Sequence, residues 1–320
     1  MRAVRVAEWG AAPTVETVDE PLRSAGQALV RVHAATVGHV DRTIWSGAFL
    51  RHPPLPYTPG VEAAGVVVES DTYAPGQRVW MRGGGLGTAS DGTWADTVVA
   101  PDEALGPLPD DVSFELGSAF FSPCTSGWVA IHTIGNLSAG QTVVITGATG
   151  AVGAIAVQLA IEAGATVIGT VSRPERLAGL PDGVTGVVVD GSEPSDAMEA
   201  DLLVDTVGGG VLATALPWVR PGGTAVLVGY LAGTTLEIDL PTFMQRDVSI
   251  HPLNMIRREP EARAVAGDLL ARLADGRLSL DVTTFDLDDA GEAMDWLVEP
   301  GHTGRAVLTP ARSATGTNGG

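Results

Sequence analysis

The stretch TGATGAVGAIAVQLA, residues 146–160, decides how the rest of the chain is read. Gly147, Gly150 and Gly153 stand in GxxGxxG spacing, directly after the apolar run QTVVIT and directly before apolar residues at helical spacing that close on Gly164. A strand, a glycine turn and a helix in that order form a phosphate cradle. The glycines let the backbone turn tightly and approach a pyrophosphate, while the helix N-terminus offers amides and partial positive charge. The candidate contacts are Gly147, Thr149, Gly150, Ala151, Val152 and Gly153. A merely tight turn is the alternative reading of the same glycines.

Downstream the same grammar repeats. ATVIGTVS reads as a strand, RPERLAGL as a short helix, GVVVD and DLLVDTVG as strands, and GVLATALPWV as a helix. A PGG turn, the strand TAVLVGY, a further strand VSIHPL and a helix from Glu259 to Ala274 follow. Continuous apolar strands alternating with helices imply a parallel sheet covered on both faces. Upstream the grammar differs: MRAVRVAEW, ALVRVHAATV, GVEAAGVVVES, GQRVWMR and TWADTVVA are short, β-branched and punctuated by Gly and Pro, as in an irregular all-β domain. The expected organisation is a β-rich domain over 1–118, a doubly wound α/β domain over 119–255, a segment over 256–310 that the family resemblance given below implies is a return to the first domain, and a polar, disordered tail over 311–320. There are no internal repeats.

The second strand of such a fold ends where NAD enzymes place an acid on the ribose 2′-hydroxyl. Between Ala163 and Pro174 there is none; the strand ends in Thr170, Val171, Ser172 and Arg173, with Arg176 one turn on. A hydroxyl and two guanidiniums suit a 2′-phosphate, so the expected cofactor is NADPH. The alternative is that both arginines are solvated helix-face residues.

Composition narrows the classes further. The chain has 320 residues and a net charge of −19, and all 19 basic residues are arginine. Without lysine there is no Walker-type phosphate loop, pyridoxal Schiff base or ordinary kinase apparatus. The acidity and the lack of a basic tract argue against nucleic acid and against an anionic membrane surface. The single Cys124 cannot form an intramolecular disulfide or a four-thiolate zinc site, and no segment reads as a signal peptide or membrane span. A cytoplasmic location is therefore expected.

Seven ordered motifs carry a family resemblance: GHVDRTIWSG (38–47), PYTPGVEAAGVV (56–67), GTWADTVVAP (92–101), TGATGAVGAIAVQLA (146–160), DTVGG (205–209), PGGTAVLVG (221–229) and GRAVL (304–308). Together they resemble the medium-chain dehydrogenase/reductase superfamily, in its zinc-free quinone oxidoreductase, or zeta-crystallin-like, branch. The resemblance implies an α/β protein made of a GroES-like β-rich catalytic domain plus a Rossmann doubly wound parallel sheet, with the active site in the cleft between them. It also implies a homodimer, through edge pairing of VSIHPL. Gly38 stands where zinc-dependent relatives have a catalytic Cys, Val61 where they have a metal-binding His, and the third ligand position falls near Ser122. No metal is expected. Zinc-free relatives commonly have Asn at Gly38, Tyr where this chain has Ala48, Phe49 and Leu50, and often Tyr near Gly191; all three are missing.

On this resemblance the catalytic candidates are His39, Asp41, Trp45 and Tyr57. His39 would donate a hydrogen bond or relay a proton, or else orient the loop and touch the ribose. Asp41 and Glu62 would serve structural hydrogen bonding, and Trp45 a pocket wall. Ser126, Gly229, Tyr230, Leu253 and Asn254 would border the cofactor, and Arg305 would add charge near it or else simply pair with an acid. Without a metal, conjugated acceptors are favoured, because a quinone or enone spreads the developing negative charge. The expected activity is hydride transfer from NADPH to a quinone or α,β-unsaturated carbonyl. The alternatives are a zinc-free carbonyl or enoyl reductase of a biosynthetic pathway, and a catalytically silent NADPH-binding sensor or structural protein.

Overall fold

The computed structural model describes residues 1–49, 52–189, 198–299 and 301–310. The expected tail at 311–320, and the positions Leu50 and Gly191, lie outside these residues. The chain forms two compact units, one of residues 1–121 with 281–320 and the other of residues 122–280.

In chain order, unit 1 begins with strands β1 (Arg2–Arg5), β2 (Thr14–Thr17) and β3 (Gln27–Val37), then helix α1 (His39–Trp45). Strands β4 (Glu62–Glu69), β5 (Arg78–Arg82), β6 (Thr97–Pro101) and β7 (Leu105–Pro107) and helix α2 (Phe114–Ala119) follow. The eleven-residue β3 is the hub: one edge pairs with β4, and the other is shared by β6 along its first half and, near Val37, by a strand from the far end of the chain. Burial alternates through Gln27–Val30, as a half-covered strand requires, and becomes continuous from Ala34 to Val37. Val30, Val32, Ala63, Val79, Met81 and Trp94 pack into one core. Each such Val or Met contributes about 1.5–3 kcal/mol by leaving water.

The all-β expectation for this region overlooks α1 and α2. Their signals are short: Asp41 closes back on the Gly38 amide at 2.8 Å, and the Ser113 hydroxyl accepts from the Leu116 amide at 3.1 Å. Each is a helix-start contact. With only six or seven residues per helix, apolar periodicity has no room to show.

Helix α3 (Phe121–Trp128) runs into a wider π-type turn over Val129–Ile134. Unit 2 then builds β8 (Thr142–Ile145), α4 (Ala151–Glu162), β9 (Thr166–Val171), β10 (Thr185–Val188), β11 (Ala200–Asp205), α5 (Gly209–Ala215), β12 (Val219–Leu227), α6 (Leu240–Arg246), β13 (Ser249–Pro252) and α7 (Glu259–Ala274). The sheet order is β10-β9-β8-β11-β12-β13, every pair parallel. This is a doubly wound Rossmann sheet, whose order reverses between β8 and β11. The PGG read as a turn lies within β12: Ala200 pairs with Val219 and Leu202 with Thr224, so the intervening residues bulge out, Gly222 at φ 75°. RPERLAGL is a 3-10 turn over Pro174–Gly179. Helix α6 had no expectation at all.

The chain re-enters unit 1 at Asp281, adding β14 (Val282–Asp286), α8 (Ala290–Trp296) and β15 (Arg305–Thr309), which pairs parallel with β14 and antiparallel with β3. The return expected from residue 256 therefore starts too early, and the entry expected at 119 falls slightly before Ser122. Helix α7 and the segment after it are tied to α4 within unit 2: Arg272 of α7 pairs with Glu162, and the Gln158 carboxamide of α4 bonds the backbone of Ser279 at 2.8 and 3.0 Å. Among the described residues, no helix is long and apolar enough to cross a membrane.

Candidate functional site

In unit 2 the site is built by excluding side chains. The turn after β8 crosses the point where the sheet order reverses, the ligand position of open α/β sheets. Gly147 has φ 61°, and a Cβ there would stand 2.7 Å from Thr206 Oγ1. A Cβ on Gly153 would fall on the carbonyl oxygen of Gly147, and one on Gly229 on that of Thr206. These glycines let helix α4 and the ends of β11 and β12 close onto the loop. Gly150 is the N-cap of α4, and the amides of Ala151, Val152 and Gly153 form its first turn; such amides have no partner within a helix.

Buried side chains lock this turn. Thr146 donates its hydroxyl to Asp205 at 2.6 Å, the Gly208 amide donates to the other oxygen of Asp205 at 2.8 Å, and the Thr206 hydroxyl donates to the Thr146 carbonyl at 2.7 Å. Asp205 is fully buried, and burial pushes its carboxyl above the usual range while these hydrogen bonds oppose the shift. DTVGG was read as a family motif without a role for Asp205. Its role is to tie the ends of β8 and β11 together.

The arginine pair flanks the loop. Arg176 donates to the Thr149 hydroxyl at 3.3 Å, which brings the end of β9 against the glycine turn, and Ser172 and Arg173 are exposed beside it. Ser126 is buried in α3. Tyr230 is 58% exposed, and the Leu253 amide continues the β12–β13 pairing through Leu227 at 2.8 Å. Asn254 is engaged otherwise: its side-chain oxygen accepts from the amides of Ile256 and Arg257 at 3.0 and 3.2 Å, shaping the turn into α7.

Unit 1 gathers charge instead. Glu62, 1% exposed, pairs with Arg305 at 2.7 Å and with Arg82 at 3.3 Å. Asp41, 2% exposed, accepts from the amides of Gly38 at 2.8 Å and Val61 at 3.1 Å. Burial nevertheless pushes Asp41 up to about 7, since two amides and the neighbouring Arg305 do not replace the lost water. Half-buried His39 opens α1, and burial together with the charges of Arg305, His302 and Arg42 lowers it to about 4. It is therefore a neutral imidazole near pH 7. Arg82 was missed in the sequence because nothing local links GQRVWMR to PYTPGVEAAGVV; only the β4–β5 pairing of Glu62 with Arg82 does.

The remaining two catalytic candidates pack inward. Tyr57 is 1% exposed in an apolar group with Val6, Ile44 and Val61, and its buried hydroxyl has no hydrogen-bond partner. Burial and the Asp41 charge raise its ionisation far above the ordinary value. Trp45 packs against the same group and donates its indole N–H to the Ala11 carbonyl at 2.6 Å. Thus His39, Asp41, Glu62 and Arg305 come together, while Tyr57 and Trp45 form the apolar floor beside them. Arg305 pairs with an acid, Glu62, and lies against Gly38. Among the described residues, no three His, Cys, Asp or Glu side chains converge to hold a metal.

A dinucleotide cradle on a Rossmann sheet, joined in one chain to a β-rich unit with a buried acid and arginine cluster, defines a two-domain nicotinamide-dependent oxidoreductase. Residues 24–110 match the alcohol dehydrogenase GroES-like domain model, and residues 151–272 the zinc-binding dehydrogenase model. The chain is 28% identical to a quinone oxidoreductase of Mus musculus over 336 residues, covering 96% of this chain and 97% of that one. It is 30% identical to the synaptic vesicle membrane protein VAT-1 homolog of Homo sapiens, covering 91% and 80%. A solved quinone oxidoreductase of Pseudomonas syringae pv. Tomato superposes with a TM-score of 0.83 at 26% identity, covering 97% and 99%. The chain belongs to the medium-chain dehydrogenase/reductase superfamily, in its quinone oxidoreductase branch.

The glycine cradle fits a nicotinamide dinucleotide. The first-turn amides of α4 have no partner within the helix, and the Arg176 guanidinium lies against Thr149 of the turn.

Proposed function

We propose that the chain is an NADPH-dependent oxidoreductase that works without a metal and reduces quinones or α,β-unsaturated carbonyl compounds. The Arg176–Thr149 contact carries the cofactor choice. It sets a guanidinium against the glycine turn at the end of a strand that has no acid between Ala163 and Pro174. A carboxylate there would take the 2′-hydroxyl of NADH and repel a 2′-phosphate; Arg173 and Arg176 favour the phosphate.

When bound, the reduced dinucleotide supplies the hydride. The chain's own residues hold it: the turn amides take the pyrophosphate, Arg173 and Arg176 the 2′-phosphate, and the locked Asp205–Thr146 pair keeps the turn in place. Gly38 and Val61 carry no metal-binding atoms, so the substrate itself must absorb negative charge, and a conjugated acceptor does this best. The proposal extends to a homodimer formed along β13, the edge strand of the unit 2 sheet, and to a cytoplasmic site of action.

Equilibrium fluorescence titration tests the cofactor. NADPH should bind about tenfold or more tightly than NADH, and Arg173→Ala or Arg176→Ala should weaken NADPH by a similar factor while leaving NADH alone, as expected for the loss of a charge-assisted hydrogen bond. Equal affinities in the unsubstituted protein would sink the assignment. Turnover of parallel quinone, enone and ketone panels then fixes the acceptor. Ketone turnover alone would point to a carbonyl reductase, the reading favoured by Gly38, Ala48 and Phe49 in place of the residues common among quinone reductases.

A further inference from the structure

Unit 2 holds a cavity that the cofactor turn does not use. It measures about 230 Å³ and is lined from α5, the turn that follows it, the chain leading into α6, and α6 itself. Leu216, Pro217, Leu236, Ile238, Phe243 and Val248 make its walls apolar. Val248 is buried in the core of the unit, and Leu216, Leu236 and Phe243 pack against that core. One cation joins them. Arg246, in the last turn of α6, spends both hydrogens of Nη2 on the carbonyls of Pro217, at 3.0 Å, and Val219. These two bonds fix the plane of the guanidinium. Of its nitrogens, Nε alone is buried without an acceptor, and Arg246 makes no ion pair among the described residues. A buried donor without a partner is costly. Because Nη2 is already committed, the edge it shares with Nε cannot take a carboxylate in the usual two-point fork, and Nε can serve one oxygen atom. Glu237 and Asp239 also line the cavity, both exposed. Hydrogen bonding from Thr242 holds the Asp239 carboxyl below its usual range, so it is an anion. Two carboxylates beside one guanidinium disfavour an anionic ligand.

We propose that this cavity is a binding site for a small neutral molecule, an apolar ring or chain bearing one carbonyl oxygen, with Arg246 Nε donating to that oxygen. Ligand sites pair apolar walls with a few placed polar groups that set orientation, and here the Nη2 bonds to Pro217 and Val219 hold the donor in place beforehand. The volume lies below the range of about 300–1,000 Å³ usual for drug-sized ligands, so the occupant is held to a single ring or a short chain. The site belongs to unit 2 alone. It rests neither on the cofactor choice nor on the acceptor proposed above.

Calorimetric titration tests this with N-methylcaprolactam, which has one ring, one carbonyl, no ionisable group and a lactam that does not readily accept hydride. Cyclohexanecarboxylate, of similar size, is the anionic comparison. The unsubstituted protein should bind the lactam with a dissociation constant of about 1 mM or below, within reach of so few atoms. The carboxylate should bind at least about tenfold more weakly, since Nε offers it a single point of contact and two acids stand nearby. Arg246→Met removes the donor and should weaken the lactam at least about tenfold, as the loss of a charged hydrogen bond does. Arg246 also holds α6 to the chain before β12, so a second variant guards against misfolding. Ala213→Leu keeps the guanidinium: Ala213 is exposed on α5 and lines the cavity, so leucine takes up the space without entering the core. It should abolish lactam binding with Tm unchanged. No lactam binding by the unsubstituted protein, lactam binding that Ala213→Leu keeps, or tighter binding of the carboxylate overturns the proposal. Undiminished lactam binding by a folded Arg246→Met overturns it too, because the cavity would then select nothing but apolar surface.

Discussion

The glycine turn of unit 2 and the charge cluster of unit 1 are built on opposite principles. The turn works by leaving atoms out: at Gly147, Gly153 and Gly229 a single carbon would collide with neighbouring groups. The cluster works by burying charge: Glu62 and Asp41 are almost wholly enclosed and depend on two arginines and two amides. Their weaknesses are accordingly opposite. The turn cannot accept an added methyl group at Gly147 or Gly153. The cluster has room for a methyl group at Gly38 but cannot lose a charge or a proton balance without cost.

The strongest way to break this contrast is Glu62→Gln. Removing one partner of a buried pair leaves Arg305 and Arg82 without their counter-charge, a loss of about 3–5 kcal/mol. Thermal unfolding should show Tm falling by roughly 10 °C, since each kcal/mol is worth about 2–4 °C in a chain of this size class. A change below about 1 kcal/mol would mean that solvent reaches the cluster and that the charges are not interdependent. Next in size is Gly153→Ala, where the added carbon meets the Gly147 carbonyl; overpacking of this kind costs about 3 kcal/mol. Calorimetry and NADPH titration should show lower stability and lost binding together. Retained binding would mean that α4 can move off the turn without harm.

The pH dependence separates the two regions further. Asp41 lies at about 7 when folded, above its ordinary value, so the folded protein holds its proton more tightly than the unfolded chain does. The stabilisation is complete below the ordinary carboxylate range and is lost as pH rises through about 7. His39 has the reverse sign: held down to about 4, it contributes stability that is present above its ordinary value of 6.5 and is lost as pH falls towards 4. The two slopes oppose each other between about pH 4 and 6.5, so the Tm of the unsubstituted protein should decline only from about pH 6.5 to just above 7 and be flat beyond. Asp41→Asn should remove that slope, which amounts to at most about 1.4 kcal/mol per pH unit for one group. An unchanged slope would place the titrating group elsewhere, with Asp205 the next candidate.

Legibility in the sequence follows the same division. TGATGAVG, β8 and α4 are contiguous, and backbone geometry dictates glycine at fixed offsets, so turn, helix and closing Gly164 could all be read off. Helix α7 was legible for a similar reason, since sixteen residues give apolar periodicity room to show. The cluster was not legible as a unit, because Gly38, Asp41, Glu62, Arg82 and Arg305 meet only through the pairings β3–β4, β4–β5 and β3–β15. Long-range pairing leaves no local trace. The same reason hides the end of unit 2: Gln158 and Ser279 are 121 positions apart, and only long-range contacts, their hydrogen bonds and the Arg272–Glu162 pair, tie α7 and the segment after it to α4. Tyr57 was singled out from its motif, whereas only packing against Val6, Ile44 and Val61 reveals how deeply it is buried.

The finest test lies within the glycine turn itself. Gly150 sits between Gly147 and Gly153, yet a Cβ there would meet only the Gly147 carbonyl oxygen, at 3.3 Å, and its φ of −80° is open to any residue. Steric necessity inside the protein thus accounts for Gly147 and Gly153 but hardly for Gly150. What remains is close approach by a ligand, the role of the middle glycine in a dinucleotide turn. Gly150→Ala should therefore leave Tm within about 1 kcal/mol of the unsubstituted protein, since a slight shift of one carbonyl absorbs the contact. NADPH binding should nevertheless weaken measurably in the same preparation. Falling stability with unchanged affinity would invert the assignment, making Gly150 a third structural glycine and moving the phosphates away from the N-cap of α4. Loss of affinity alone would place the pyrophosphate against that N-cap, on a turn held rigid by its two neighbouring glycines and by the Thr146–Asp205 bond.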